Sequence, residues 1–486
     1  MGIGELGKMR PDLISALKNT KVKDWKKIKV EFSGGPLSVS VPRDCVTLTM
    51  KKAEVLKDPA KEIKEALEKP LGDLSWGKII KKKGKPADEL QVAITVSDIT
   101  RPVPYKGENG VLLPLLQKLQ ALGVRQKNVR IIVGTGTHRA STPREKVEML
   151  GREIVATYEV QDHDCEARAN LVYVGGTPSG TEVFLNKTFA EADLKIATGL
   201  TESHFMAGAS GGRKAICPGL VDLRTIQKFH SPDFLESPRA TNLLLEGNPC
   251  HEEAAVIAKA VGVDFTITVT LDKDMRLTGV FAGDLEKVLE EAVRKIKTYV
   301  AIPVPEEFDI VVTHGGYVGR NHYQVAKAAV GALPAVKGKG VIIIAADNRD
   351  EEPIGGPEYR TLIHLLKLQG VDGYVDLLQS PAWKFTKDQW EPEVWGRVLR
   401  KVGEERLIYC TTDIPEKDFT MLPGVSGYEF LTPPGRKKSR AKKVQEMVQN
   451  AVIYFHHQYA TQNISPRLAF ISEGPYAVPV KTGDGL

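Results

Sequence analysis

Short apolar runs rich in β-branched residues alternate along the chain with longer stretches of helical periodicity. The runs that predict strands are Val92–Val96, Arg130–Val133, Leu171–Val174, Leu194–Thr198, Phe265–Leu271, Asp309–Thr313, Gly340–Ala345, Leu407–Cys410 and Leu468–Ile471. The stretches that predict helices are Leu112–Ala121, Asn248–Val261, Asp284–Tyr299 and Pro357–Leu368. Strands that alternate with helices predict an α/β fold, here two α/β domains with largely parallel sheets.

Two segments interrupt this alternation. Val30–Phe32 and Leu37–Val41 flank Gly34-Gly35, which predicts a small N-terminal hairpin. Ala301–Pro305 carries two prolines between a helical stretch and a new strand, so it is the predicted domain boundary. The predicted division is an N-terminal domain of residues 1–300, a C-terminal domain of residues 305–455, and a last segment, 456–486, that packs back on the N-terminal domain. A boundary of this kind favours an interdomain active-site cleft.

Composition narrows the class of protein. The chain has 486 residues, 42% of them hydrophobic and 26% charged, which excludes a collagen-like, coiled-coil or wholly disordered chain. No apolar run reaches the roughly 18 residues that span a bilayer, and the N-terminus has no signal-peptide pattern. The five cysteines are odd in number and widely spaced, so they predict neither a disulfide framework nor a zinc site. We therefore expect a cytoplasmic protein without a membrane partner.

The positive charge does not indicate a nucleic-acid partner. The net charge is +6, and local basic runs occur at Lys81–Lys83 and Arg436–Lys443. No helix-turn-helix, zinc-finger or RNA-binding aromatic motif accompanies them. Solvated faces and loops are the favoured interpretation of these runs.

Polar, glycine-rich segments follow four of the predicted strands. Ligands of open α/β sheets bind beyond the carboxyl ends of the strands, where these segments lie. They are Ser97–Pro102, Gly134–Arg139, Gly199–His204 continuing to Gly208–Lys214, and His314–Gly316 leading to Tyr323, Gln324 and Lys327. One such loop carries little weight, but four together predict an active site.

Several of these residues admit a structural as well as a functional interpretation. Gly134 and Gly136 fit a plain turn or a phosphate loop, and the missing third glycine disfavours an NAD fingerprint. Asp98 fits a helix N-cap and a site residue equally well. Arg101 fits an ion pair with Asp98 or a clamp for an anionic carboxylate.

The histidines and the lysine of these loops suggest acid–base and covalent chemistry. His138 and His204 lie in polar loops, where two imidazoles could exchange protons near neutrality. His230 on its own fits a structural role, because a metal ligand needs partners. Lys214 fits a phosphate contact or a nucleophile, and Cys217 fits a small buried thiol.

Taken in order, these motifs resemble those of the lactate racemase family, whose members carry a nickel-pincer nucleotide. The resemblance covers roughly residues 25–480. The matching pieces are Asp98 with Thr100–Pro104, Gly134–Arg139, His204 through Gly211–Lys214, Lys228–His230, Gly247–Pro249 with His251-Glu252, Tyr323-Gln324 with Lys327, Asp388–Trp390 and Glu473–Pro475.

The resemblance implies a cofactor, a nickel-bound pyridinium mononucleotide with two sulfur donors. Lys214 would hold it through a thioamide link, in a cofactor-binding loop that includes Gly211 and Gly212. His230 would be the protein ligand to nickel, and separate maturation enzymes would supply the cofactor.

The same resemblance implies the remaining site residues. His138 and His204 would be the general acid/base pair, and Asp98 would orient a catalytic histidine. The residues expected around the substrate are Arg101 and Lys327, which would hold its carboxylate, with Gln324, Tyr323 and Trp390.

The chemistry of a 2-hydroxy acid makes this set sensible. Its α-hydrogen is very weakly acidic beside a carboxylate, so removal as hydride, with a base for the hydroxyl proton, is the easier route. The resulting keto acid is planar and can take hydride back on either face. The expected function is therefore racemisation or epimerisation of a 2-hydroxy acid.

Two departures suggest a substrate larger or more polar than lactate. Ile99 lies where lactate racemases carry His, and the loop 315–322 differs from the family pattern. Arg320 and His322 would add polar capacity there. The competing functions are an NAD- or metal-dependent hydroxy-acid dehydrogenase and a non-catalytic carrier of the nickel nucleotide.

Overall fold

The structure is a computed structural model that describes residues 9–33, 35–432 and 438–482. Gly34 of the predicted hairpin, and Arg436 and Lys437 of the second basic run, lie outside the described residues. Within them the chain has the predicted mixed α/β architecture with largely parallel sheets. None of the helices in these ranges combines the length and apolar character needed to cross a membrane.

The secondary structure follows the alternation seen in the sequence. The strands are β1 (Lys26–Val30), β2 (Leu37–Val41), β3 (Val46–Leu48), β4 (Val92–Ser97), β5 (Val129–Gly134), β6 (Glu159–Asp162), β7 (Leu171–Gly176), β8 (Glu182–Asn186), β9 (Leu194–Leu200), β10 (Ser203–His204), β11 (Gly208–Ala209), β12 (Phe265–Leu271), β13 (Leu277–Gly283), β14 (Ala301–Val304), β15 (Phe308–His314), β16 (Val336–Ala345), β17 (Leu407–Cys410), β18 (Val425–Ser426), β19 (Leu468–Ile471) and β20 (Val478–Lys481). The helices are α1 (Leu13–Asn19), α2 (Pro59–Glu68), α3 (Trp76–Lys82), α4 (Leu112–Ala121), α5 (Pro143–Leu150), α6 (Arg152–Thr157), α7 (Lys187–Ala190), α8 (Leu223–Phe229), α9 (Pro232–Leu235), α10 (Pro249–Val261), α11 (Leu285–Val300), α12 (His322–Gly331), α13 (Pro357–Gln379), α14 (Trp390–Val402) and α15 (Arg440–Thr461).

The chain divides into two compact units. The inner unit is residues 52–299, and the terminal unit is residues 1–51 together with residues 300–486. Residues 1–51 were predicted to belong to the N-terminal domain, but β3 pairs with β19 in the sheet of the terminal unit. The last segment was predicted to pack on the N-terminal domain, but β19 and β20 pair with β15 and β14. Both predictions are corrected, because these pairings join segments that are far apart in sequence.

The inner unit is built on a six-stranded sheet of order β13-β12-β9-β4-β5-β6. All its neighbours are parallel except the β12–β13 pair. The chain leaves β4 towards β5, while β9 lies on the other side of β4. The carboxyl ends of β4 and β9 therefore form a topological switch point, where open α/β sheets bind their ligands. The first five residues of β4 are all buried, so both faces of this strand are covered, as is usual in parallel sheets.

The terminal unit has a second six-stranded sheet, of order β18-β17-β16-β15-β19-β3, in which every pair is parallel. Its switch point lies between β15 and β19. The predicted hairpin is confirmed as the antiparallel pair β1–β2, whose apolar face joins the core that α15 covers. The helix predicted over Pro357–Leu368 is longer than expected, since α13 continues to Gln379 past a non-helical Gly370.

Candidate active site

The carboxyl end of β4 presents a hydrogen-bonded pair of Asp98 and His138. Asp98 Oδ2 lies 2.6 Å from His138 Nδ1, and the Thr100 hydroxyl donates to Asp98 Oδ1 at 2.6 Å. Burial opposes ionisation of Asp98, but its bonds with His138 and Thr100 outweigh that effect and lower the pKa of the carboxyl. Asp98 is therefore an acceptor, and the His138 proton that faces it is on Nδ1. The Nε2 lone pair of His138, whose side chain is 53% exposed, is then available for a substrate proton.

Arg101 forms an ion pair with Glu202 and not with Asp98, the partner in one of the two interpretations that the sequence left open. Arg101 Nη1 lies 2.5 Å from Glu202 Oε1, and both side chains are partly exposed. Arg101 follows β4 and Glu202 follows β9, so the pair sits across the switch point of the inner sheet. An anionic substrate that binds Arg101 must compete with Glu202.

The glycines before Lys214 are required by the path of the backbone. Gly211 has φ +80°, and a Cβ atom there would lie 2.6 Å from Thr201 Oγ1 and 3.0 Å from the Leu200 carbonyl oxygen. Gly212 also has positive φ, at +53°. These two residues turn the chain sharply beside the end of β9 and deliver Lys214 to that edge. This geometry gives them a structural role; their predicted contact with a cofactor stays a prediction.

Lys214 has the environment of a reactive amine. Its Nζ atom lies 4.9 Å from the centre of the Phe229 ring. Burial, followed by the positive charges of Arg101 and Arg213, lowers the pKa of Lys214 to about 7. A sizeable fraction of this lysine is therefore uncharged at neutral pH, which a nucleophilic amine requires.

His230, at the end of α8, has the properties of a single imidazole ligand to a metal. Its Nδ1 lies 3.0 Å from the Ile226 carbonyl oxygen, to which it donates, so the lone pair of the neutral ring is on Nε2. Burial and then the nearby Lys214 and His138 lower the pKa of His230 to about 3. The ring is neutral at physiological pH, as a ligand must be. The described residues hold no group of three or more His, Cys, Asp or Glu side chains placed to bind an ion.

These charge interactions show which predicted residues the inner unit brings together. His138 and Lys214 both lower the pKa of His230, and Arg101 acts on both Asp98 and Lys214. The predicted lysine, two of the histidines, the aspartate and the arginine thus form one cluster.

His204 reaches the same edge of the sheet through the β10–β11 pair. The ring is buried and stacks on Phe205 with a centroid distance of 5.1 Å. Its Nδ1 accepts hydrogen bonds from the backbone N–H groups of Met206 and Ala207, at 3.2 and 3.3 Å. An accepting Nδ1 places the proton of the neutral ring on Nε2. His204 and His138 are therefore held in opposite tautomers.

The other predicted residues lie in the terminal unit. Tyr323, Gln324 and Lys327 are on α12, which Asn321 caps by accepting from the Gln324 N–H at 2.9 Å. Trp390 begins α14 and is buried. Burial and the nearby Glu391 raise the pKa of Tyr323, which also shares a hydrogen bond with Trp390. Their predicted roles towards a substrate stay predictions.

Glu391 is a buried acid that no sequence motif indicated. Glu391 is only 1% exposed, and its Oε1 atom has no hydrogen-bond partner among the described residues. Burial raises the pKa of Glu391 to about 8, against the opposing charge of Lys327 and with help from Asp388. The sequence alone could not identify it, because a Glu in the first turn of a helix is common and is usually exposed.

Other polar residues have structural roles here. His322 was expected to add polar capacity to the loop 315–322, but it is fully buried, stacks on Trp395 at 4.4 Å and bonds Tyr359. Arg320 pairs with Asp350 at 3.0 Å. Burial raises the pKa of the Cys217 thiol, consistent with an inert core cysteine. Glu202, in contrast, is a site residue that the sequence did not indicate, although it lies only two residues after the end of β9.

Comparisons with known proteins show which family the chain resembles. Residues 33–242 match the lactate racemase N-terminal domain and residues 305–422 the lactate racemase C-terminal domain. A lactate racemase of Lactiplantibacillus plantarum is 32% identical over 339 residues, or 69% of this chain and 77% of that protein. A lactate racemase of Thermoanaerobacterium thermosaccharolyticum is 35% identical over 398 residues, or 80% of this chain and 86% of that protein. The solved lactate racemase apoprotein from the latter organism has a TM-score of 0.78 and 26% identity, and covers 94% of this chain and 100% of its own.

Proposed function

This chain belongs to the lactate racemase family of isomerases, and on that premise we propose that it racemises or epimerises a 2-hydroxy acid by reversible hydride transfer through a keto acid. The observation that carries the proposal is the cluster in the inner unit. It combines a carboxylate-bound imidazole, a lysine whose pKa is lowered to about 7 and a buried neutral imidazole with its lone pair on Nε2.

The residues present fit a nickel-pincer nucleotide attached to Lys214. The amine of Lys214 is uncharged in part at neutrality, so it can form the covalent link. His230 offers one neutral nitrogen to nickel, an ion that imidazole ligands suit. A lone protein ligand is sufficient if the nucleotide brings the other donors. When bound, the group supplies a carbon that accepts a hydride and returns it.

In this proposal His138 removes the hydroxyl proton of the substrate. Its Nε2 accepts the proton, and the Asp98 carboxylate stabilises the imidazolium that results through the 2.6 Å bond to Nδ1. His204 acts at the other end of the reaction: its Nε2, which carries the proton of the neutral ring, gives that proton to the keto oxygen when hydride returns to the opposite face. Return of the proton from His138 to His204 completes the cycle, and the opposite enantiomer follows the same steps in reverse. Because the keto acid is planar, rotation between the two events exchanges the faces and erases the configuration.

We propose, as the family resemblance implies, that Arg101 and Lys327 hold the substrate carboxylate and that Gln324, Tyr323 and Trp390 also contact the substrate. A guanidinium offers a planar fork that matches a carboxylate, and two cations hold the intermediate in place. Ile99, 37% exposed beside Asp98, remains the argument for a substrate other than lactate. Fastest turnover with lactate in a panel of 2-hydroxy acids would remove that argument.

The cofactor part is tested by producing the chain with and without the maturation enzymes. Intact mass and nickel analysis should show added mass on the peptide of Lys214, and stoichiometric nickel, only in the first sample. Lys214→Arg should lose both, while the matched control Lys195→Arg, another partly buried lysine of the inner unit, should keep both. Activity that requires added NAD would favour the dehydrogenase alternative.

The acid–base part is tested with the loaded enzyme. His138→Ala and His204→Ala should each abolish racemisation at unchanged nickel content. Unchanged activity in both variants would refute the assignment, and a loaded protein without activity on any 2-hydroxy acid would favour a carrier.

A further inference from the structure

The orientation of His204 depends on a turn whose carbonyl oxygens accept hydrogen bonds from two buried side chains. The turn is Met206–Ala207, whose N–H groups both donate to Nδ1 of His204. These two bonds decide which nitrogen carries the proton of the neutral ring. Whatever fixes the turn therefore fixes the tautomer.

Asn248 is the first of the two side chains. It is fully buried, and its Nδ2 donates to the Met206 carbonyl oxygen at 2.8 Å and to that of Leu244 at 3.0 Å. The Met206 carbonyl and the Ala207 N–H belong to one peptide group, so the bond from Asn248 polarises the donor that faces His204. The Oδ1 of Asn248 caps α10 by accepting from the N–H groups of Cys250 and His251.

Arg213 is the second. It is 1% exposed, and its Nη2 donates to the carbonyl oxygens of Ala207 and Ala209, at 2.8 and 3.1 Å. Its hydrogen bonds within the described residues all go to main-chain oxygens, and its Nε has no partner there. A buried guanidinium without a carboxylate is costly, so stability alone is a poor explanation for it.

We propose that Asn248 and Arg213 are positioning residues that hold the Met206–Ala207 turn so that His204 presents Nε2–H to the substrate. This inference rests on the proposed role of His204 in acid–base chemistry. With His138 locked as the opposite tautomer by Asp98, the pair is asymmetric in the resting protein. His138 begins as a proton acceptor and His204 as a hydrogen-bond donor to the substrate oxygen.

The test reads the tautomer directly from ¹⁵N-histidine NMR of the cofactor-free protein, with the His204 signals assigned by their loss in His204→Gln. We expect Nδ1 to show the shift of an unprotonated ring nitrogen and Nε2 that of a protonated one. Asn248→Asp keeps the acceptors that cap α10 but removes the Nδ2 donors, so both shifts should move towards the tautomer mixture of a free imidazole.

A matched control is Asn186→Asp. Asn186 is also a buried capping asparagine, but its Nδ2 lies 3.4 Å from Nδ1 of a different histidine, His163. This variant should move the His163 signals and leave those of His204 in place.

In the loaded enzyme, Asn248→Asp and Arg213→Lys should each lower kcat about a hundredfold with little change in KM, as expected for a misplaced acid–base group. A wild-type spectrum with His204 protonated on Nδ1 would overturn the proposal. So would folded variants whose His204 shifts and kcat equal those of the wild type. If Asn248→Asp does not fold, the proposal is tested by the wild-type spectrum together with the His204 shifts and the kcat of Arg213→Lys. Shifts that move as expected in a protein without racemase activity would refute the proposed function and leave the positioning intact.

Discussion

Replacement of Asp98 by Asn removes the charge that supports His138, and an amide that keeps its oxygen towards the Thr100 N–H also turns its Nδ2 donor towards His138 Nδ1. The side-chain amide keeps the shape of the carboxylate but cannot neutralise the imidazolium that forms when Nε2 takes a proton. Two unit charges about 4 Å apart attract by about 1 kcal/mol in water and about 4 kcal/mol at an effective dielectric constant of about 20. Because the His138 side chain is 53% exposed, the lower half of that range applies, about 1–2 kcal/mol. The charge alone therefore accounts for a loss of about 5- to 30-fold in kcat/KM, and the changed tautomer of His138 adds to that loss.

The assay is polarimetry of each enantiomer with loaded enzyme, normalised to bound nickel. Two enantiomers have equal free energy, so kcat/KM in the two directions must fall by the same factor in any variant. Asp73→Asn is the control, because it removes a carboxylate from an exposed ion pair with Lys78 elsewhere in the inner unit. Fully loaded Asp98→Asn with a kcat/KM within twofold of the wild type would refute the role of the carboxylate.

The Asp98 charge also predicts a pH effect on stability. Bonds with His138 and Thr100 lower its pKa in the folded state despite burial. The stabilisation is therefore complete above the unfolded pKa of about 3.9 and is lost as the pH falls through the lower folded value. Acid unfolding of Asp98→Asn should show a weaker dependence on pH in that range.

Three further predictions concern other parts of the molecule. Glu202→Gln should lower KM for the substrate about two- to fivefold, since it removes the carboxylate that competes for Arg101; a raised KM would instead assign Glu202 to positioning Arg101. Burial raises the pKa of Glu391 to about 8, so its contribution to stability is complete below the unfolded pKa of about 4.3 and is lost as the pH rises through about 8. The Tm of the wild type should therefore fall more between pH 6 and pH 9 than that of Glu391→Gln, and equal slopes would contradict this. Gly211→Ala should lose about 2–4 kcal/mol of unfolding free energy in denaturant titrations, because it combines a left-handed φ with a 2.6 Å contact. Gly180→Ala, with φ +81° and nothing within 4 Å, should lose only about 1–2 kcal/mol, and similar losses in both would show that the contact is unimportant.

The local sequence pattern determined the strands and helices and identified most of the candidate site residues. β4 and β9 are apolar runs and α10 begins at a capping Asn-Pro, so the sequence predicted them within two residues. The rule that parallel sheets bind ligands at their carboxyl ends placed Asp98, His138 and Lys214 at one edge, and the cluster of charge interactions agrees.

Only the tertiary structure decided which distant segments meet. β3 lies beside β19 although more than 400 residues separate them, because strand pairing depends on backbone hydrogen bonds that carry no local signature. The same holds for polar partners: Arg101 meets Glu202, not Asp98, and His322 is enclosed by Trp395 and Tyr359. Burial then set the proton states of Lys214, His230 and Glu391, since desolvation of a charge depends on what the whole fold packs around it.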